Sequence, residues 1–269
     1  MQFESITSMD ANFTENKILT TQKSIKLYTV QNEALVLYSE LVSSNKEPIS
    51  AAQFISKTDN IAAITLDGTL CIFQESLKTL EKKVINGPID ALTAFKHENA
   101  NIYSIILGCN GGYLKNVTFD GVSLSEPVNL PLSHRHGVVA LSSNNKVVAS
   151  IGEDRFLFLF SINISNNNVE CSKLYEQKFE KDLKDVCVAR DDVFENVLFS
   201  ICVEDEVLVY FSSLDSIDFE NVQKIDVKGC NSIKWTKSGY CLVVGTENGF
   251  RSFAPDDDGK YVEIDVEKL

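Results

Sequence analysis

His134-Arg135-His136 sets two imidazoles two residues apart, and it comes nearer to a metal-binding pair than any other stretch of the chain. A zinc site takes three or four ligands. His97 is the one other histidine, and no two cysteines stand at zinc-ligand spacing, so the triplet reads as a loop and no metal is expected. Gly108-Cys109-Asn110-Gly111-Gly112 is glycine-rich, but no Lys-Ser or Lys-Thr follows at phosphate-loop spacing, and it reads as a hairpin turn. Asp256-Asp257-Asp258-Gly259 offers carboxylates to a cation, yet a calcium loop needs further oxygen ligands at fixed spacing, and Asp-Gly is a common turn. Asp185 and Asp191-Asp192 are carboxylates of the kind a glycosidase pairs, though nothing in their spacing makes them converge. No Gly-x-Ser-x-Gly elbow occurs with a plausible base, and the cysteines lack a nucleophile's context. The expectation is a binding protein without cofactor, not an enzyme.

Composition narrows the class of partner. With 25 Lys and Arg against 38 Asp and Glu the formal charge is -13, which disfavours binding to a phosphate backbone. No apolar run approaches the roughly 18 residues of a membrane span, and Met1-Gln2-Phe3-Glu4 is not a signal-peptide start, so a soluble cytosolic or nuclear protein is expected. The seven cysteines are odd in number and widely spread, and four lie in apolar runs, as core residues do in a reducing compartment. The sequons at Asn12, Asn116 and Asn163 are accordingly read as unmodified.

The elements available to position any site are strands. One unit recurs: an apolar run, an acidic or amide residue, then an alternating strand that closes on an aromatic six positions later. Gln22 leads to Tyr28, Asp67 to Phe73, Asp154 to Phe160, Asp205 to Phe211 and Glu247 to Phe253, while Gly111 to Val117 keeps the spacing without the residue types. Successive closing positions are 45, 44, 43, 51 and 42 residues apart, around the roughly 40 to 45 of a WD repeat. Runs such as Ile105-Ile106-Leu107 and Val197-Leu198-Phe199 suit strands buried on both faces, and Ser24-Ile25-Lys26-Leu27-Tyr28 alternates as a half-buried one does. These features predict an all-β chain, a single six-bladed WD-repeat β-propeller over residues 1–269. The blades fall at about 1–44, 45–86, 87–131, 132–180, 181–227 and 228–269.

A propeller ring is usually latched by the chain's first strand, which completes the last blade. Here Ile6 to Ala11 is read as the innermost strand of blade one, and Tyr261 to Val266 gives blade six its own outer strand. The ring is therefore expected to be open, with strand edges and apolar faces where blades one and six meet, to be completed by strands from a partner.

Read in order, the repeats resemble the family of the Sec thirteen protein, the small propeller subunit of the COPII outer coat. The resemblance covers nearly the whole chain. Its carriers are Lys23-Ser24-Ile25-Lys26-Leu27-Tyr28, Asp67-Gly68-Thr69-Leu70-Cys71-Ile72-Phe73, Asp154-Arg155, and above all Ser232-Ile233-Lys234-Trp235-Thr236-Lys237-Ser238-Gly239 with Asn248-Gly249 and Gly259-Lys260-Tyr261. The chain departs from the family in having Trp235 as its only tryptophan, in carrying Tyr28, Phe73, Phe160 and Phe211 in place of repeat tryptophans, and in its compressed loops.

The resemblance implies an open six-bladed scaffold completed by an elongated helical partner, of the Sec thirty-one type in the COPII vesicle coat or of the nucleoporin type in the Y-shaped nuclear pore subcomplex. It also implies cytoplasmic, ER-derived vesicle-coat and nuclear-pore locations, with membrane association only through the coat. A role in a nutrient-signalling coat-like complex belongs to the family as well. Phe3, Ile6, Phe250, Phe253 and Tyr261 are the candidate partner contacts, by their place at the junction of blades one and six; ordinary blade packing is the competing reading of all five. The alternatives are the Seh-type nucleoporin, a closed WD-repeat adaptor that reads peptides at its channel, and a propeller enzyme.

Overall fold

A computed structural model describes residues 8–265 except 13–15, 33, 56–57, 59, 75–76, 98–100, 166–167, 190–195, 214–216, 218–221 and 237–238. The described residues contain no helix, and therefore none long and apolar enough to cross a membrane. They form six four-stranded antiparallel sheets, each from four consecutive strands, and the fold is a six-bladed β-propeller.

The chain divides into two compact units, residues 1–131 and 132–269. In the first, blade one is β1 (Ser8–Asn12), β2 (Lys17–Thr21), β3 (Ile25–Gln31) and β4 (Ala34–Leu41). Blade two is β5 (Ile49–Phe54), β6 (Ile61–Thr65), β7 (Thr69–Gln74) and β8 (Leu77–Lys83). Blade three is β9 (Ile89–Lys96), β10 (Tyr103–Cys109), β11 (Tyr113–Phe119) and β12 (Val128–Ser133), the last of which continues two residues past position 131. In the second unit, blade four is β13 (Val138–Ser143), β14 (Val148–Gly152), β15 (Phe156–Ser165) and β16 (Asn168–Lys178). Blade five is β17 (Leu183–Val188), β18 (Asn196–Val203), β19 (Glu206–Ser213) and β20 (Val222–Asp226). Blade six is β21 (Cys230–Trp235), β22 (Leu242–Thr246), β23 (Gly249–Pro255) and β24 (Tyr261–Ile264).

Burial explains why these runs are strands. β6, β10 and β14 are buried at every residue, as a strand must be when blades pack on both of its faces. Between blades one and two, Ile25, Leu27 and Leu41 meet Ile49, Phe54 and Phe73, and between blades two and three, Ile64 and Ile72 meet Ile105 and Val117. The second unit repeats the scheme with Ile151 and Leu159 against Phe199 and Tyr210, then Cys202 and Val209 against Trp235 and Phe253. Each such side chain contributes about 1.5–3 kcal/mol on full burial.

Adjacent blades are also tied by polar side chains. An innermost strand pairs with a ladder on one side only, and its other edge must find acceptors for its amides. Ser8 Oγ accepts from Ala52 N at 3.2 Å and Asp10 Oδ2 from Phe54 N at 2.9 Å. In the second unit Ser142 Oγ accepts from Val188 N, and Asp185 Oδ2 from Ile233 N, each at 2.9 Å.

The acidic residue of the repeat secures the hairpin after the second strand. Asp67 Oδ1 accepts from Thr65 Oγ1 at 2.5 Å and from Thr69 N at 3.2 Å, while Oδ2 pairs with Lys83 at 2.8 Å. Lys83 first and Thr65 second pull the Asp67 carboxyl down to about 2. Gly68 follows at φ 87°, where a β-carbon would stand 2.4 Å from the carbonyl oxygen of Ile85. Asp205 Oδ1 in turn accepts from Gly229 N at 2.7 Å.

Blade five corrects one assignment of the repeat. Three residues join the second and third strands in blades two and four, but only Glu204 and Asp205 do so in blade five. The third strand therefore starts one residue early, and a one-residue slip exchanges the faces of a strand. Tyr210, not Phe211, is the buried aromatic, stacked on Phe199 at 4.6 Å, and Phe211 is 50% exposed.

Candidate interaction surface

Several of the residues singled out for chemistry, His134, Asp185 and Asp256 among them, occupy structural roles. His134 Nε2 lies 2.8 Å from Ser150 Oγ and Nδ1 lies 2.9 Å from Asp154 Oδ1, the connectivity of a Ser-His-Asp triad. Ser150 sits fully buried in the middle of β14 and His134 is buried beside Phe158, with ring centroids 4.7 Å apart, so no substrate carbonyl reaches the hydroxyl. Asp154 further accepts from Arg135 N and Phe156 N. The three side chains lock the loop before blade four onto the hairpin of that blade. The triplet is a loop, as its spacing indicates, while the lock has only a faint sequence signal, Ser150 four residues ahead of Asp154 with a histidine upstream.

Gly108 to Gly112 ends β10 and turns into β11, with Gly112 N donating to Cys109 O at 2.8 Å. Asp256 Oδ1 accepts from Asp258 N at 3.0 Å and Lys260 N at 2.9 Å, which closes the turn before β24. Asp185 bridges β17 to β21, and burial raises its carboxyl against the pull of Lys234 and two amide donors; Asp191 and Asp192 lie outside the described residues. Among the described residues no group of three or more His, Cys, Asp or Glu is placed to hold a metal ion. All seven cysteines are free thiols, with burial pushing Cys171 up to about 11 and also raising Cys109 and Cys187. Cys230, held low by its contact with Cys202, is itself buried in the core between blades five and six.

The candidate contact residues separate by strand alternation. In blade six Trp235, Leu242, Phe253 and Glu263 lie in register across the sheet. Their face packs on blade five: Trp235 Nε1 donates to Cys187 O at 3.2 Å, and Phe253 is 1% exposed. Tyr261 belongs to the same face, edge-on to Trp235 with centroids 5.2 Å apart. Its backbone is clamped by Gln223, which donates through Nε2 to Tyr261 O and accepts from Tyr261 N, each at 2.8 Å. Burial pushes the Tyr261 phenol up to about 12. Arg251 forms a fork with Glu263 at 2.8 and 2.7 Å, lowering the Glu263 carboxyl, and reaches Asp226 O at 2.9 Å. Phe253 and Tyr261 thus serve the packing of blade six on blade five.

The opposite face of blade six carries Val243, Phe250, Ala254, Val262 and Ile264, with Phe250 67% exposed. Of the five candidates Phe250 alone is placed on this face, since Phe3 and Ile6 lie outside the described residues.

Blade one shows the same division. Leu19, Ile25, Leu27 and Leu41 face blade two. Alternation then sends Met9, Ile18, Tyr28, Val30, Leu35 and Leu37 to the other face, where Met9 is 60% exposed. Within its own unit each of these two blades presents a second sheet face with exposed apolar side chains beyond the one that packs on its neighbour. No protein-family model and no curated protein matches the chain.

Proposed function

We propose that the chain is a non-enzymatic scaffold subunit of the Sec thirteen type. It binds an elongated helical partner that completes the propeller, in the COPII outer coat and in the Y-shaped nuclear pore subcomplex. The observation that carries this reading is that each blade uses four consecutive strands of its own, while blades one and six each keep a face with exposed large apolar side chains, Met9 and Leu37 on one and Phe250 and Val262 on the other. The reading takes in the Seh-type nucleoporin, and the identity of the partner separates the two. Fold alone does not assign function, so the partner is the quantity to measure.

Purification of the tagged chain from its own cells, with quantitative mass spectrometry, tests it. Near-equal recovery of an elongated helical coat or pore protein is the expected result. A stable monodisperse chain without such a partner overturns the proposal.

A second reading, a WD-repeat adaptor that reads peptides, is favoured by one feature of the second unit. A cleft of about 260 Å³ lies between blades four and five, lined by Val139, Gly152, Glu153, Asp182, Leu183 and Lys184. Its mixed acidic and basic rim suits a charged peptide side chain.

A further inference from the structure

Blade one carries seven of the fifteen large apolar side chains that are well exposed among the described residues, and β4 holds four of them in succession: Leu35, Val36, Leu37 and Tyr38. By register, Leu35 and Leu37 share a face with Val30 and Tyr28, while Ala34 and Val36 share the other with Gln31 and Thr29. β4 is the end strand of its sheet, so both faces of an edge strand are apolar and open at once.

Soluble proteins guard such edges with charge, proline or shortness. The other outer strands do so here. β8 ends Glu81-Lys82-Lys83, β12 contains Pro131, β16 carries Glu170, Lys173, Glu176 and Lys178, β20 carries Lys224 and Asp226, and β24 is four residues long. In β4 the one charged residue is Glu40, which leaves Ala34 to Leu37 unguarded.

We propose that the outer edge of β4 is a β-augmentation site, which takes an extended segment of another protein, apolar on both faces and flanked by Lys or Arg. A strand added to an edge extends both faces of the sheet, so its residues come to lie beside Leu35 and Leu37 on one side and Val36 on the other. The flanking charge follows from the net charge of -13 and from β4 itself, whose one charged residue is Glu40, set across from Lys26 of β3. A second copy fits poorly, because pairing would bring together two chains that each carry a charge of -13. The edge is about 27 Å long and roughly 10 Å deep, well short of the ~800 Å² per partner of a stable globular interface, so the occupant is a short segment. The site stands whether or not the scaffold reading holds.

Hydrogen exchange on the full chain tests it, with the synthetic peptide acetyl-Lys-Lys-Val-Ile-Val-Tyr-Lys-Lys-amide as probe. Exchange across residues 34–41 is expected to slow by on the order of tenfold. A Glu-flanked analogue and an analogue N-methylated at alternate amides should give no protection. The double variant Val36→Lys, Leu37→Lys should lose the protection and keep its thermal midpoint. Protection on another strand, equal protection by the Glu-flanked peptide, or none at all overturns the proposal, as does a dimer of the free chain that is abolished by the same double variant.

Discussion

Gly152 leaves the space that His134 fills: a β-carbon at Gly152 would stand 2.4 Å from His134 Nδ1 and 2.7 Å from Asp154 Oδ1. The need for glycine is steric, because the His134 ring is enclosed between Ser150, Asp154 and Phe158 and has nowhere to retreat. Gly152→Ala is therefore expected to unseat the imidazole and cost about 2–3 kcal/mol, read as a fall of several degrees in the thermal midpoint. An unchanged midpoint would mean that the loop before blade four gives way freely.

Ser150→Ala tests the same lock from the other end. It leaves His134 Nε2 without its hydroxyl partner inside the blade, and the expected loss is about 1–2 kcal/mol in urea unfolding. In the double variant with His134→Gln the two losses should fall short of their sum, since both remove one interaction. Strict additivity would dissolve the network.

The lock also sets a pH dependence. Burial holds His134 below its ordinary value of 6.5 despite Asp154, and burial lowers His97 as well. Below about pH 6.5 the unfolded chain takes up protons that the folded chain refuses, so stability is full above that pH and declines as the pH falls toward the depressed folded values. Urea midpoints measured from pH 7.5 to pH 5 should decline, and His134→Gln should flatten the slope without abolishing it, His97 remaining. Stability that rises on acidification over this window would contradict the assignment.

Asn116 is fully buried in β11, and neither Oδ1 nor Nδ2 finds a hydrogen-bond partner. A buried amide in that state costs more than an apolar side chain of equal size. Asn116→Leu is expected to stabilise the chain by about 1–2 kcal/mol, measured as a higher urea midpoint at unchanged slope. A destabilised variant would show that the amide has a partner after all. The same burial withholds the Asn116 sequon from modification in the folded protein.

The blades were legible in the sequence because burial on two faces imposes continuous apolar runs, as in Ile105-Ile106-Leu107, and because turns such as Asp67-Gly68 punctuate them. Phe211 was misassigned because spacing along a chain does not reveal that a turn has lost one residue. His134, Ser150 and Asp154 were each visible, but their contact depends on how a loop folds back over the next hairpin, and their spacing does not carry that. Alternation alone puts Phe250 and Phe253, an odd number of positions apart, on opposite faces, but which of those faces meets a neighbouring blade is not in the pattern.

That odd spacing separates packing from recognition within one strand. Phe253, 1% exposed against blade five, is expected to cost about 3–5 kcal/mol on replacement by Ala. Phe250, 67% exposed on the other face, should change stability by about 0.5 kcal/mol or less when replaced by Ser. If that face receives a partner, Phe250→Ser should still reduce recovery of the co-purifying protein several-fold while the thermal midpoint stays put, because an exposed aromatic gives up its contact area only when something covers it. Undiminished recovery would move the contact away from β23, whereas a fall in the midpoint would show that Phe250 is already covered within the folded chain.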